Sequence, residues 1–135
     1  MKTYLLLFLS VFTLAACSSD DDSNDSTDDM IPEKASYRGE FESKAHPTSG
    51  IADINEEHTL LNLTNFKSDD GPSLELYLAT DEDATKYISL GSLKGLDGNY
   101  EYATPEDIDF SEYDHVIVWC VPFGVNFGQA VLEMN

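Results

Sequence analysis

The chain has 135 residues and carries 26 acidic against 7 basic side chains, for a formal charge of −19 at neutral pH. Such a surface argues against nucleic acid as a partner, because phosphate binding needs clustered lysine and arginine. It also repels anionic lipid head groups and favours cations or a basic protein partner. The length allows one domain with a modest core.

In chain order, Lys2 is followed by a nearly unbroken apolar run from Tyr4 to Ala16. That run has the length of a signal-peptide core and is too short to span a bilayer. It closes on Leu14-Ala15-Ala16-Cys17, which resembles a bacterial lipobox. The resemblance implies that residues 1–16 are a lipoprotein signal peptide and that Cys17 becomes the lipidated first residue of the mature chain, held to a membrane by its lipid. Lys2 is the only charged residue removed, so the mature chain is one unit more acidic. Residues 17–35 follow as Ser, Asp, Asn and Thr with almost nothing apolar, which predicts a disordered tether. Its start, Ser19-Asp20-Asp21-Asp22, resembles the acidic export signal of lipoproteins of the Bacteroides and Flavobacterium group. The resemblance implies an outer-membrane location facing the cell exterior. The alternative is a plain solvated spacer.

Residues 36–135 read as one domain of short strands. Tyr37–Ser43 alternates, and Ile51–Ile54 with Thr59–Phe66 forms a hairpin across Asn55-Glu56-Glu57-His58. Beyond the Lys67–Pro72 loop, period two in Leu74-Glu75-Leu76-Tyr77-Leu78 sends the leucines to a core and Glu75 and Tyr77 outward or to an edge. Lys86–Leu90 is the next strand, and Asp97-Gly98 predicts a tight turn before Asn99–Tyr102. Thr104-Pro105-Glu106-Asp107 allows at most one helical turn. His115–Val121 is apolar on both faces, as a covered central strand is, and Pro122 ends it. Val125–Met134 is a final strand with Gly124 and Gly128 as bulge or kink points. About eight short strands without a helical pattern predict an all-β fold, an antiparallel β-sandwich or small barrel.

With Cys17 assigned to lipid, Cys120 has no partner in the chain, which is unusual for an exported protein. It shares a strand face with Val116 and Val118, opposite His115, Ile117 and Trp119. Valine neighbours point to a desolvated, inert core thiol, whereas a redox or ligand thiol needs an electropositive and partly open setting. His46, His58 and His115 match no compact ligand spacing. His58 sits in a polar turn and His115 at a strand start after Asp114, so His46, before Pro47, is the histidine candidate. Asp81-Glu82-Asp83 and Glu106-Asp107-Asp109 read as solvated turns, since the first lacks the glycine and distal glutamate of a calcium loop. Leu90-Gly91-Ser92-Leu93-Lys94-Gly95 lacks the spacing of a phosphate loop, and its glycines supply a bulge and turn. Tyr77, Tyr87, Tyr100, Tyr102, Tyr113 and Trp119 read as core and sheet-face aromatics rather than a groove. There is no nucleophile motif, so the chain is not expected to be an enzyme, and no metal site is assigned.

The ordered set of Phe41, His46 and Gly50, then Leu61, Leu63, Asn65 and Phe66, then Gly71-Pro72-Ser73-Leu74 with Tyr77-Leu78, is distinctive. It continues through Leu90–Gly95, Tyr100, Val116–Cys120 and Phe123–Ala130. The set resembles the DM-thirteen domain, a family labelled electron transfer and found in extracellular proteins beside haem-binding-type β domains. The family's motif cysteine falls on Cys120. The resemblance implies that this thiol is redox-active or helps to hold a prosthetic group such as haem; His46, in the family's first motif, is the weaker second candidate, and the partner, a redox or a basic protein, is left unnamed. The competing class is a cofactor-free binding module in which Cys120 fills core.

Overall fold

The computed structural model describes residues 35–135. The leader, Cys17 and all but the last residue of the expected tether lie outside the described residues; Ala35, the tether's last residue, already opens the first strand.

Nine strands form: β1 (Ala35–Ser43), β2 (Thr48–Asn55), β3 (Leu60–Ser68), β4 (Leu74–Ala79), β5 (Tyr87–Ser92), β6 (Asp97–Ala103), β7 (His115–Cys120), β8 (Val125–Val131) and β9 (Glu133–Met134). They pair antiparallel in the order β5-β4-β7-β8-β1-β2-β3-β6, with β9 added against β1. The sheet curls into a half-barrel, the all-β architecture that the strand pattern predicts. Its two edge strands, β5 and β6, are joined by the short Leu93–Leu96 link, so the edges converge at that corner. Here Leu93 N–H donates to Leu74 O, Lys94 N–H to the Tyr102 hydroxyl at 2.8 Å, and Ser68 N–H to Leu96 O.

β1 is where the sheet bends. Its first half pairs with β2 and β9, and Phe41–Ser43 pairs with β8. The single final strand expected over Val125–Met134 is therefore two, broken at Leu132, because β1 takes its partners in succession.

Alternation sends Leu74, Leu76 and Leu78 of β4 and Val116, Val118 and Cys120 of β7 into the main core. They meet Ala52, Ile54, Leu61, Leu63, Phe66 and Tyr102 from the other half of the curl. The expected Asp97-Gly98 turn is corrected. Both residues lie inside β6, where Asp97 pairs with Lys67 and Gly98 with Phe66, so long-range pairing overrides the local turn preference of the dipeptide.

β7 lies between β4 and β8 and is covered on both faces, as its composition requires. The outer cover is a small second cluster of Tyr77, Ala79 and Ile117, packed by Ala84 and Trp119. Ala84 belongs to the β4–β5 connection, which folds back across the sheet. The Asp81 carboxylate accepts from the Asp83 and Thr85 amides, Lys44 Nζ donates to Glu82 Oε1 at 2.8 Å, and Asn126 Nδ2 donates to the Glu82 carbonyl. Asp81-Glu82-Asp83 is thus a strap over the outer face as well as an acidic turn.

Candidate functional site

Cys120 is the last residue of β7, pairing with Leu74 of β4 and Val125 of β8. Its side chain is 0% exposed. The thiol donates to the Pro72 carbonyl at 3.4 Å, and Val121 N–H donates to the neighbouring Ser73 carbonyl. The 69–73 segment therefore caps this end of the sheet, while Pro72 itself is exposed. The turn that follows Cys120 is open, with Phe123 at its tip 68% exposed.

His46 lies in the β1–β2 connection, far from Cys120 in sequence, yet it meets the same segment. Its Nδ1 lies 3.1 Å from Asp69 Oδ2. Its ring packs on Phe127, with centroids 3.9 Å apart. Phe127 is buried and in turn presses on Gly71, where a Cβ would lie 2.9 Å from the Phe127 ring. The structure thus brings both sequence candidates to one end of the half-barrel, at opposite ends of the 69–73 cap, with Phe127 and Gly71 between. Phe127 and Asp69 were not singled out by sequence reasoning; the Phe123–Ala130 motif held the first, and no local signal marked the second.

The local backbone explains this gathering. β8 bulges at Phe127, where the register slips between Val118 and Trp119 of the partner strand. The bulge turns the Phe127 ring into the core beside the cap. At the next position, Gly128 lets Thr48 approach so closely that a Cβ there would lie 2.3 Å from the threonine. Thr48 then donates its hydroxyl to the Phe127 carbonyl, and Lys44 and His46 amides donate to the same oxygen.

The other histidines are occupied elsewhere. His58 has φ 60° and packs against Tyr37 and Phe110, while His115 Nδ1 lies 2.7 Å from Asp114 Oδ1. The carboxylate of Asp109 accepts from the Ser111 hydroxyl and amide, which holds it below the usual carboxylate range. A groove of about 390 Å³ runs along the outer face of β1 and β2 beside Arg38, Glu40 and Met134; neither Cys120 nor His46 lines it.

A haem or metal on Cys120 does not fit this arrangement. A thiolate ligand would have to lose the proton now given to Pro72 O, leaving a negative sulfur facing a carbonyl oxygen. The sulfur is also enclosed by the core, with no face open to a macrocycle. The site presents a buried thiol hydrogen-bonded to the 69–73 segment.

The outer face of the same strands carries a different arrangement. The Tyr77 and Tyr87 rings stack at 4.1 Å and 9°, and Tyr77 and Trp119 lie 5.7 Å apart at 17°. Burial, then contact with the Tyr87 hydroxyl, pushes the Tyr77 phenol up to about 12.

Residues 40–132 match the model of the family described as "Electron transfer DM13". No curated protein and no solved structure matches the chain.

Proposed function

The chain belongs to the DM13 electron-transfer family, and from that premise we propose that it is a non-catalytic electron-transfer domain whose redox group is the Cys120 thiol. The supporting observation is the cap. Cys120 closes β7, and the residue that accepts its hydrogen bond, Pro72, is exposed, so in this reading the 69–73 segment is the gate that opens to reach the sulfur. In this reading the protein is an outer-membrane lipoprotein, anchored through lipid on Cys17 and facing the cell exterior, that meets a redox protein of basic surface. The lipobox-like Leu14–Cys17 string, the acidic run behind it and the −19 charge support that setting.

The test is native-state labelling of Cys120 with a maleimide. A gated thiol labels at a rate set by local opening of the cap, well below the denaturant midpoint, and Asp69→Ala, which removes the His46 contact, accelerates it. Labelling that tracks global unfolding, unchanged by Asp69→Ala, overturns the gated thiol. That outcome favours the second reading, a cofactor-free interaction module with Cys120 as core, for which the complete burial and satisfied S–H already speak.

A further inference from the structure

Most aromatic pairs among the described residues are tilted or edge-on. The exception is the row on the outer face of β5, β4 and β7, where Tyr87, Tyr77 and Trp119 lie nearly parallel. The register explains how they meet. Tyr77 pairs with Ser89 on one side and Ile117 on the other, and the two partner rings stand two residues along in opposite directions, on the diagonals that long aromatic side chains reach. Packing alone would be served by phenylalanine. These three positions instead hold residue types that can lose one electron, and the row grades from a buried phenol at Tyr77, 5% exposed, to an open one at Tyr87, 50% exposed. Trp119 is the chain's single tryptophan, and one peptide bond separates it from Cys120.

We propose that Trp119, Tyr77 and Tyr87 form a relay that carries single oxidising equivalents from β7 outward to the exposed phenol of Tyr87. It extends the electron-transfer reading above by giving it a surface terminus, but its competence belongs to the three rings and not to the thiol. A one-electron oxidant of the peroxyl-radical class takes an electron and the indole proton from Trp119 and becomes a hydroperoxide. Trp119 is restored by an electron from Tyr77 through the stacked rings and a proton from water, while Tyr77 releases its hydroxyl proton to water. Tyr87 then returns an electron through the rings stacked at 4.1 Å, the Tyr77 oxygen takes a proton from water, and Tyr87 releases its own hydroxyl proton to water. The radical now lies on the exposed ring, where a hydroquinone-class donor gives up one hydrogen atom and restores the phenol. The sum is one peroxyl radical reduced to hydroperoxide and one hydroquinone oxidised to semiquinone, with all three side chains regenerated.

Flash oxidation of the full-length protein with photogenerated tris-bipyridyl ruthenium(III) tests the relay. The single tryptophan makes the tryptophanyl absorption assignable. The expected result is decay of that band with matching growth of a tyrosyl band, at a rate independent of protein concentration, and quenching of the tyrosyl by added hydroquinone. Tyr77→Phe, which keeps the ring and its packing, abolishes the tyrosyl growth. Tyr87→Phe leaves a tyrosyl that hydroquinone no longer reaches. Tyrosyl growth unchanged in Tyr77→Phe, growth that scales with protein concentration, or no growth in the wild type overturns the relay. The same measurement on Cys120→Ala separates the two readings. Conversion that persists there, beside maleimide labelling limited by global unfolding, removes the thiol's role and leaves the relay standing.

Discussion

Replacing Cys120 by serine and by alanine probes the buried thiol from two sides, because the structure predicts that the more conservative change is the worse one. The side chain is fully buried among core aliphatics, and its proton goes to Pro72 O at 3.4 Å. Alanine deletes one methyl-sized group, a loss of about 0.5–1.5 kcal/mol where the surroundings relax little. The Pro72 carbonyl loses the thiol donor in both variants, so it does not separate them. Serine loses the same polarisable atom and adds a hydroxyl. A C–O bond is shorter than a C–S bond, so the oxygen sits farther from Pro72 O than the sulfur does, beyond the roughly 2.5–3.0 Å of an O–H···O hydrogen bond. Unless the cap moves inward, that hydroxyl is buried unpaired, at about 1–3 kcal/mol. Serine is therefore expected to lie below alanine by at least about 1 kcal/mol, or roughly 4–8 °C in melting temperature for a domain of this size. Urea titration with an unchanged slope measures the difference. Serine as stable as alanine, or more so, would show a wet or polar thiol environment and refute both the burial argument and the need for a gate.

Three further outcomes follow from other parts of the molecule. Gly128→Ala forces a Cβ to within 2.3 Å of Thr48 and should cost about 1–3 kcal/mol by overpacking; a cycle with Thr48→Ala should recover part of that loss, and simple additivity would show the contact to be slack. The Tyr77 phenol is pushed up to about 12, above its unfolded value, so its contribution to stability is complete below about pH 10 and lost as pH rises towards 12; ultraviolet titration of tyrosinate should show a late phenol that disappears in Tyr77→Phe. Cys17→Ala should release the protein unlipidated from membrane fractions, and Asp20→Ala, Asp21→Ala and Asp22→Ala together should leave it lipidated but shielded from protease on intact cells; unchanged protease access in the triple variant would reduce the acidic run to a spacer.

The sequence was most legible where period two carried the information. Leu74, Leu76 and Leu78 reach the core as alternation requires, and the two-sided apolarity of His115–Val121 places β7 centrally, one residue shorter than expected. It was least legible where distant groups decide. Asp97-Gly98 has the chemistry of a turn, yet pairing with Lys67 and Phe66 draws it into β6. The Asp81–Asp83 strap is fixed by Lys44 and Asn126, whose approach depends on how β8 and β1 curl beneath it, and no local pattern encodes that. The candidate site divides in the same way. Its face was readable, since Val116 and Val118 predict which side of the sheet Cys120 takes. Its cap was not, because Pro72 and Asp69 reach Cys120 and His46 only after the sheet has curled.

The same alternation separates the two redox-capable features of β7. Consecutive residues on a strand point to opposite faces, so Cys120 enters the core while Trp119 joins Tyr77 and Tyr87 outside. A thiol in that core is shielded from large reactants and donates its hydrogen bond to a carbonyl. The outer rings have the reverse properties: mutual contact and, at Tyr87, a half-exposed phenol at the sheet edge. Joining both to one strand lets the fold protect one group and expose the other without a second domain. A one-residue slip in the β7 register would exchange their faces, placing the indole in a core sized for a thiol and the thiol in solvent. The Val118–Trp119 slip against β8 avoids that outcome because the extra residue, Phe127, lies on β8, and the β4 pairing from Ala79↔His115 to Leu74↔Cys120 runs unbroken.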